Sequence, residues 1–274
     1  MGDKAAAFIR QHQDRPFFLY LPFTIPHASL QAPDAAVAEY RDRFPETLYH
    51  GQQNYAATPY PRATYAAMIT YMDKKVGEVM ALLKELNLDD HTLVLFTSDN
   101  GTTFNGGVDA AFFESVGPFR GLKMDVFEGG IRMPMIARWP GKIAPGRVTN
   151  HLGAHYDILA TLVDVVKAKP VKTDGISFLP TLLGQVAKQK KHEYLYWEYP
   201  EKGGQVAIRM GNWKGVKVNM KTNKAARWEL YDLEKDKSET TNLASKYPAI
   251  IAKFDNIVWK EHQPSHVPEW EFIR

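Results

Sequence analysis

The sequence contains no cysteine, and it has neither a long apolar run nor a strong excess of one charge. The absence of cysteine excludes disulfide bonds, thiolate metal sites and a cysteine nucleophile within these 274 residues. No stretch of about 18 consecutive apolar residues occurs, so no transmembrane helix is predicted. The net charge is only +3, and no block of about five basic residues occurs, so no nucleic-acid partner is expected.

The composition that remains is that of a globular protein, with 45% hydrophobic and 24% charged residues. A chain of 274 residues is long enough for one large α/β domain, or for one domain with a small appendage. No signal peptide is predicted from these residues, because Met1-Gly2-Asp3-Lys4 leads directly into an amphipathic segment.

Apolar periodicity predicts alternating helices and strands in the first part of the chain. Helical spacing predicts helices over residues 4–13, 65–86 and 155–166. Short apolar runs predict strands, the first two buried on both faces, over residues 17–21, 93–96 and 133–139. This alternation predicts an α/β fold with a mixed sheet flanked by helices.

The pattern changes after residue 190. Short runs rich in β-branched and aromatic residues are separated by glycine-containing turns, at residues 193–199, 205–210, 213–218 and 227–232. They predict a small antiparallel sheet, which is followed by a predicted helix over residues 248–261. We therefore predict two domains, residues 1–190 and residues 191–274.

The run from Leu93 to Gly101 changes abruptly from apolar to polar side chains. Asp99 and Asn100 follow a predicted strand, and in open α/β sheets ligands gather beyond the carboxyl ends of strands. Adjacent carboxylate and amide oxygens suit a hard cation such as Ca²⁺ or Mg²⁺. An ordinary Asp-Asn-Gly turn is the alternative. Residues 101–130 are glycine-rich and lack periodicity, which is typical of a functional or mobile loop.

Four motifs in order carry a resemblance to a known family. Residues 17–27 (FFLYLPFTIPH) end in His27, 97–101 (TSDNG) contain the Asp-Asn pair, 117–123 (GPFRGLK) end in a lysine, and 128–134 (EGGIRMP) follow. Together they resemble the sulfatase family, which shares its fold with alkaline phosphatase. Downstream, residues 228–233 (WELYDL) resemble a strand of the C-terminal subdomain of that family.

The resemblance implies an active site that cleaves a sulfuric ester. It implies that Asp99 and Asn100 bind Ca²⁺ or Mg²⁺, that Lys123 binds the sulfate group, and that His27 protonates or hydrogen-bonds the leaving oxygen. The implied substrate is an aryl or carbohydrate sulfate ester, which makes a sulfated small molecule or glycan the expected partner. A periplasmic or secreted location is expected on the same basis.

The sequence departs from the family pattern at the nucleophile. The family matures a formylglycine from a Cys/Ser-x-Pro-x-Arg segment, which is absent here together with the early Asp-Asp metal pair. We therefore expect the chain to be the C-terminal part of a sulfatase, inactive in isolation, with the formylglycine supplied from upstream. The alternatives are a non-catalytic protein that binds sulfated glycans, and a phosphodiesterase or phosphonate hydrolase of the same superfamily.

Three further expectations concern the arrangement of the chain. His27, Asp99, Asn100 and Lys123 are expected to converge at one end of the sheet, around one cavity. The aromatic side chains at residues 49, 55 and 60 are expected either to line a sugar or aryl pocket or to pack against the scaffold. Apolar surface left uncovered by absent strands is expected to make the chain marginally stable or to cause self-association.

Overall fold

The computed structural model describes residues 1–273, apart from the side chain of Gln53. The chain forms two compact units that alternate along the sequence. The first unit comprises Met1–Phe96, Thr103–Ser115 and Ala137–Pro145, and the second comprises Thr97–Thr102, Val116–Ile136 and Gly146–Arg274. The predicted domains, by contrast, meet at a single boundary after residue 190, and that boundary stays a prediction.

Four of the helices confirm predictions made from apolar spacing. The helices are α1 (Gly2–His12), α2 (Asp34–Ala38), α3 (Pro61–Glu85), α4 (Glu128–Ile131), α5 (Asp157–Val165), α6 (Leu179–Leu182) and α7 (Pro248–Glu261). Helices α3 and α7 both begin with proline, whose fixed φ suits the first helical position and whose missing N–H costs nothing there. Within the described residues, no helix is long and apolar enough to cross a membrane.

Within residues 1–273, six strands form two sheets. Strands β1 (Val94–Thr97) and β2 (Met135–Arg138) pair in one, and β3 (Leu195–Tyr199), β4 (Gln205–Met210), β5 (Trp213–Lys217) and β6 (Glu229–Asp232) form the other. The second sheet is antiparallel throughout, in the order β3-β4-β5-β6. The predicted α/β fold with a small C-terminal antiparallel sheet is therefore confirmed.

The prediction of a strand buried on both faces at residues 17–21 is wrong. This segment is assigned to no strand, and Phe18 and Tyr20 are 69% and 76% exposed. Phe17 and Leu19 instead pack against the core between α1 and α3. Apolar content alone does not bury a strand, because burial on the second face needs a partner from elsewhere in the chain.

The other two predicted strands are also less buried than expected. Residues 93–96 correspond to β1, all of whose residues are only half-buried. The strand predicted over residues 133–139 is shortened to β2, in which Ile136 is 63% exposed. Both strands therefore exist, but neither lies in a fully covered sheet within the described part of the chain.

The antiparallel sheet of the second unit has a packed core on each face. Alternate residues point to opposite faces, so Ile208 and Leu230 pack against Phe254 of α7, while Ala207 and Val216 pack against residues 126–127. A β-carbon at Gly215 would lie 2.3 Å from the Phe254 ring. Glycine at this position is therefore what allows the ring to lie directly on β5.

A buried charged cluster lies on the sheet face opposite to α7. The fully buried Lys214 ammonium is 2.9 Å from Glu128 Oε1 and 4.0 Å from Glu239 Oε1. Burial opposes ionisation of Glu128, but Lys214 and two arginines outweigh it and hold the pKa of Glu128 below its ordinary value. Burial raises the pKa of Glu239 to about 7, although Lys214 opposes the shift.

Truncation of the Phe254 ring tests the core between the sheet and α7. The change Phe254→Ala is expected to lower the free energy of unfolding by about 3–5 kcal/mol, because it leaves a cavity beside Gly215. Trp259 lies on the same helix and is 89% exposed, so Trp259→Ala should change stability by less than about 0.5 kcal/mol. Urea unfolding followed by circular dichroism measures both, and equal losses in the two variants would show that this core is misassigned.

Titration of Glu239 is expected to make the protein less stable as pH rises through neutrality. A carboxyl whose pKa is about 7 when folded and 4.5 when unfolded binds more protons in the folded state between these values. Its stabilisation is therefore complete below the unfolded pKa and is lost as pH rises through the folded pKa. The shift corresponds to an upper value of about 3 kcal/mol.

The Glu239→Gln variant isolates this contribution, because its amide mimics the protonated carboxyl at every pH. Unfolding free energies measured between pH 5 and pH 8 should fall more steeply in the parent than in the variant, by up to about 3 kcal/mol. The other titrating groups are common to both proteins and cancel in the difference. Parallel pH profiles would contradict the raised pKa.

Candidate functional site

The candidate metal ligands lie in the turn that ends β1. The backbone N–H of Asn100 donates to Asp99 Oδ1 at 3.0 Å, and Asn100 Nδ2 donates to the carbonyl of Gly101 at 3.0 Å. Asp99 is exposed and Asn100 is half-buried. Both contacts join adjacent residues, within a bend that spans residues 99–101. They also leave Asp99 Oδ2 and Asn100 Oδ1 directed to no donor within the described residues.

Gly101 holds this turn against a second backbone segment. Its N–H donates to the carbonyl of Gly130 at 2.8 Å. A β-carbon at Gly101 would lie 1.9 Å from the carbonyl oxygen of Gly129, so no larger residue fits without displacing one of the two chains. The glycine after the Asp-Asn pair is therefore required by a close approach of backbone to backbone.

Lys123 reaches the same turn through its backbone. The N–H of Lys123 donates to the carbonyl of Thr102 at 2.8 Å, which places this lysine beside the segment that carries Asp99 and Asn100. Lys123 is half-buried. Its ammonium makes no ion pair with any described residue, so this charge is available to an anion. The structure thus brings three of the four predicted site residues into neighbouring segments of the second unit.

His27 lies in the first unit, and its imidazole is oriented by its own loop. Nδ1 is 2.5 Å from the carbonyl of Ala28, and because a carbonyl only accepts, Nδ1 carries the proton in this contact. Nε2 is then the nitrogen that can accept or deliver a proton. The side chain is exposed, and the Tyr55 ring approaches it edge-on with centroids 6.4 Å apart. Convergence of His27 with the other three residues stays a prediction.

The first unit also contains an open cavity of about 420 Å³. It is lined by Tyr49, Gln52, Phe104, Gly106, Gly107, Val108 and Asp109. A β-carbon at Gly106 would lie 2.3 Å from the Ala28 side chain, so this wall of the cavity packs directly against the His27 loop. Of the three tyrosines considered from the sequence, Tyr49 lines the cavity, whereas Tyr60 stacks under Arg41.

Asp109 gives the cavity an ionised wall. The backbone N–H of Phe112 and the guanidinium of Arg62 both donate to its carboxylate, the latter at 2.7 Å. These donors hold the pKa of Asp109 below its ordinary value. The cavity therefore combines a carboxylate that is ion-paired with Arg62, the side chain of Gln52 and the ring of Tyr49, groups that can hydrogen-bond to a polar ring and stack on it.

The donor set at the end of β1 fits a hard cation in kind but not in number. Asp99 and Asn100 offer a carboxylate and an amide oxygen, the ligand types that Ca²⁺ and Mg²⁺ prefer, but Ca²⁺ takes about six to eight oxygens. No group of three or more His, Cys, Asp or Glu residues in the described part of the chain could hold a metal ion. These two residues would therefore supply part of a metal site.

Two contacts around this turn were not predicted from the sequence. His155 Nε2 lies 2.6 Å from the carbonyl of Ser98, and Glu128 meets Lys214 in the buried cluster. The partners are 57 and 86 residues apart, and neither pair has a spacing that a local pattern could reveal. The sequence signal for the second pair is Lys214, a charged residue on the same face of its strand as Val216.

Comparison with known proteins places the chain in one family. Residues 1–168 match the family model described as Sulfatase, and residues 122–263 match the model described as N-sulphoglucosamine sulphohydrolase, C-terminal. The chain is 28% identical over 275 residues to N-acetylgalactosamine-6-O-sulfatase of Bacteroides thetaiotaomicron, covering 93% of this chain and 49% of that protein. It is 31% identical over 260 residues to arylsulfatase A of Homo sapiens, covering 85% and 45%.

The fold agrees with these matches. The structure of Ps i-CgsB in complex with k-i-k-neocarrahexaose superimposes with a TM-score of 0.79 at 28% identity, covering 96% of this chain and 55% of that chain. The chain thus spans about half the length of the proteins that it matches. Because the Sulfatase model matches residues 1–168, well over half of the chain, this protein belongs to the sulfatase family.

Proposed function

We propose that this chain carries part of the active site of a sulfuric ester hydrolase, which releases sulfate from a carbohydrate or aryl sulfate ester. The observation that carries the proposal is the bond from the Lys123 N–H to the Thr102 carbonyl. It joins the one unpaired cation of this region, within the described residues, to the turn that presents oxygen ligands from Asp99 and Asn100. An anion and a cation can be held side by side there.

Each residue has a role that its chemistry can perform. Asp99 and Asn100 would hold Ca²⁺ or Mg²⁺, and a cation so bound supplies charge stabilisation at the sulfuryl oxygens. The Lys123 ammonium binds and neutralises the same sulfate group. His27, whose Nδ1 is committed to the Ala28 carbonyl, delivers a proton from Nε2 to the leaving oxygen. The nucleophile, a formylglycine in the family, comes from outside these residues.

A carbohydrate sulfate is the substrate class that the cavity and the relatives support. The matched bacterial relative acts on N-acetylgalactosamine 6-O-sulfate by its name, and the superimposed structure holds a neocarrahexaose. The cavity beside the His27 loop has an ionised carboxylate, an amide and a tyrosine ring, which suit hydroxyl groups and the face of a sugar. The periplasmic or secreted location stays a prediction.

A non-catalytic glycan-binding protein is the second candidate. It is favoured by one observation, the absence of cysteine and of any Ser-x-Pro-x-Arg segment in these residues. Both candidates require a sulfate-binding site at Lys123, but only the hydrolase requires turnover. A phosphodiesterase or phosphonate hydrolase would be recognised by preferring a phosphate diester to a sulfate ester in the same assay.

The activity assay compares the chain alone with the chain extended by any coding sequence that precedes Met1. Expressed in a host that matures formylglycine, the extended protein should hydrolyse p-nitrophenyl sulfate, and the 274-residue chain should not, because it lacks a nucleophile. In the active protein, Asp99→Ala should lower kcat/KM by about 100-fold or more. The exposed Asp14 provides the control variant, Asp14→Ala, which should retain full activity.

Two results would count against the proposal. Hydrolysis by the 274-residue chain that disappears in Asp99→Ala would show that no further nucleophile is needed. Equal activity of Asp99→Ala and Asp14→Ala would remove Asp99 from the site. Bis(p-nitrophenyl) phosphate, assayed in parallel, identifies the phosphodiesterase alternative.

Self-association of the chain is a further part of the proposal. Phe18 and Tyr20 are 69% and 76% exposed, in a segment that pairs with no strand of residues 1–273, and apolar surfaces of this kind associate. Sedimentation of a dilution series is expected to reveal dimers or larger species that bind an apolar dye. The double variant Phe18→Ser/Tyr20→Ser should weaken association, whereas a dye-negative monomer at all concentrations would contradict it.

A further inference from the structure

Glu128, the first residue of α4, is held at both its side chain and its backbone. Its carboxylate lies 2.9 Å from the Lys214 ammonium and 3.5 Å from the guanidinium groups of Arg132 and Arg209. Its backbone N–H donates to Glu239 Oε2 at 2.8 Å. Lys214 is fully buried on β5, so water cannot replace Glu128 as the partner of its ammonium. The ion pair therefore fixes the position of Glu128 relative to the antiparallel sheet.

The two residues that follow Glu128 connect it to the candidate site through backbone hydrogen bonds. The Gly129 N–H donates to the Arg120 carbonyl at 2.7 Å, and the Gly130 carbonyl accepts from Gly101 at 2.8 Å. A β-carbon on Gly129 would lie 2.2 Å from the Gly121 carbonyl oxygen. Because these backbones are in contact, α4 cannot shift without moving the segments that precede Lys123 and follow Asn100.

From these contacts we infer that Glu128 is a positioning residue for the sulfate-cleaving site. Its buried ion pair with Lys214 anchors α4, and α4 in turn sets the position of the Asp99–Asn100 turn and of Lys123. The role of Glu128 in the reaction rests on the proposed function. The structural connection from Glu128 through α4 to Lys123 and to the Asp99–Asn100 segment does not. The C-terminal antiparallel sheet thereby acts as a support for residues that bind metal and sulfate.

The chemistry of the pair favours positioning over simple stabilisation. Burying two charges costs desolvation energy that their attraction only partly offsets, and apolar residues of similar volume often serve stability equally well. An ion pair, unlike an apolar contact, is satisfied only at a defined distance and direction. The ion pair therefore restricts the position of the Glu128 side chain more than an apolar contact of the same size would.

Amide hydrogen exchange tests the link directly, without requiring turnover. In Glu128→Gln, the Gly101 and Lys123 amides should exchange on the order of tenfold faster than in the parent, while amides of β4 change little. The control is Ile257→Ala, which weakens the opposite face of the sheet without touching α4. Equal acceleration of the Gly101 and Lys123 amides in this control, at matched melting temperature, would overturn the inference.

A double variant separates positioning from stability. In Glu128→Gln/Lys214→Met, the buried charges of the pair are removed together, which should restore much of the melting temperature. The inference expects the Gly101 and Lys123 amides to remain fast in spite of this recovery. If their exchange returns to the parental rate together with the melting temperature, the ion pair contributes stability alone and the inference fails.

The parent protein provides a test that does not depend on the folding of any variant. Exchange measured in low concentrations of urea should group the amides of Gly101, Lys123 and Glu128 into one opening unit with β5. Separate opening of Gly101 and Lys123 while Glu128 stays protected would overturn the link. Failure of the proposed function would give a different result: no hydrolysis of sulfate esters, with the exchange pattern unchanged.

In the active protein, the same variant should also separate kcat from KM. Glu128→Gln is expected to lower kcat by about tenfold with little change in KM for p-nitrophenyl sulfate, since misplacement of the reacting groups affects the transition state more than binding. Unchanged kcat in a variant with faster Gly101 and Lys123 exchange would remove the role in catalysis.

Discussion

The candidate site depends on a close approach of backbone segments at Gly101, Gly129 and Gly130. A β-carbon at any of these positions would lie 1.9 to 2.2 Å from a carbonyl oxygen of a neighbouring segment. Two hydrogen bonds link the segments, one from the Gly101 N–H to the Gly130 carbonyl and one from the Gly129 N–H to the Arg120 carbonyl. These bonds hold the segment after β1, which carries Asp99 and Asn100, against the neighbouring backbone.

The electrostatics of the second unit follow from the pleat of the antiparallel sheet. On the face opposite to α7, β5 presents Lys214 beside Val216, and the ammonium of Lys214 is paired with Glu128 at 2.9 Å and lies 4.0 Å from Glu239. Because the Glu239 side chain is fully buried and its Oε1 has no hydrogen-bond partner among the described residues, this cluster is sensitive to pH. The same cluster contains Glu128 of α4, so the buried charges and the core of the second unit lie next to the segments that carry the candidate site.

Local patterns predicted the local structure well. Strand β4 and helix α7 were predicted at their observed bounds. The strand is a short apolar run between glycine-containing turns, and the helix begins with proline and has apolar residues at helical spacing, so local sequence marks both ends of each element. The Asp-Asn pair was likewise found at the end of its strand. Three features could not be predicted, because each depends on contacts between distant parts of the chain. They are the incomplete burial of residues 17–21, the Lys123 bond to Thr102 and the pairing of Glu128 with Lys214.

We propose that Asp99, Asn100 and Lys123 form one site for a cation and a sulfate, and the convergence of His27 on this site stays a prediction. A crystal structure of the protein grown with Ca²⁺ and inorganic sulfate tests it most directly. The account predicts Ca²⁺ bound to Asp99 and Asn100, at about 2.3–2.6 Å from their oxygens, and a sulfate in contact with the Lys123 ammonium and with Nε2 of His27. Sulfate bound elsewhere, with His27 remote from Lys123, would contradict the account.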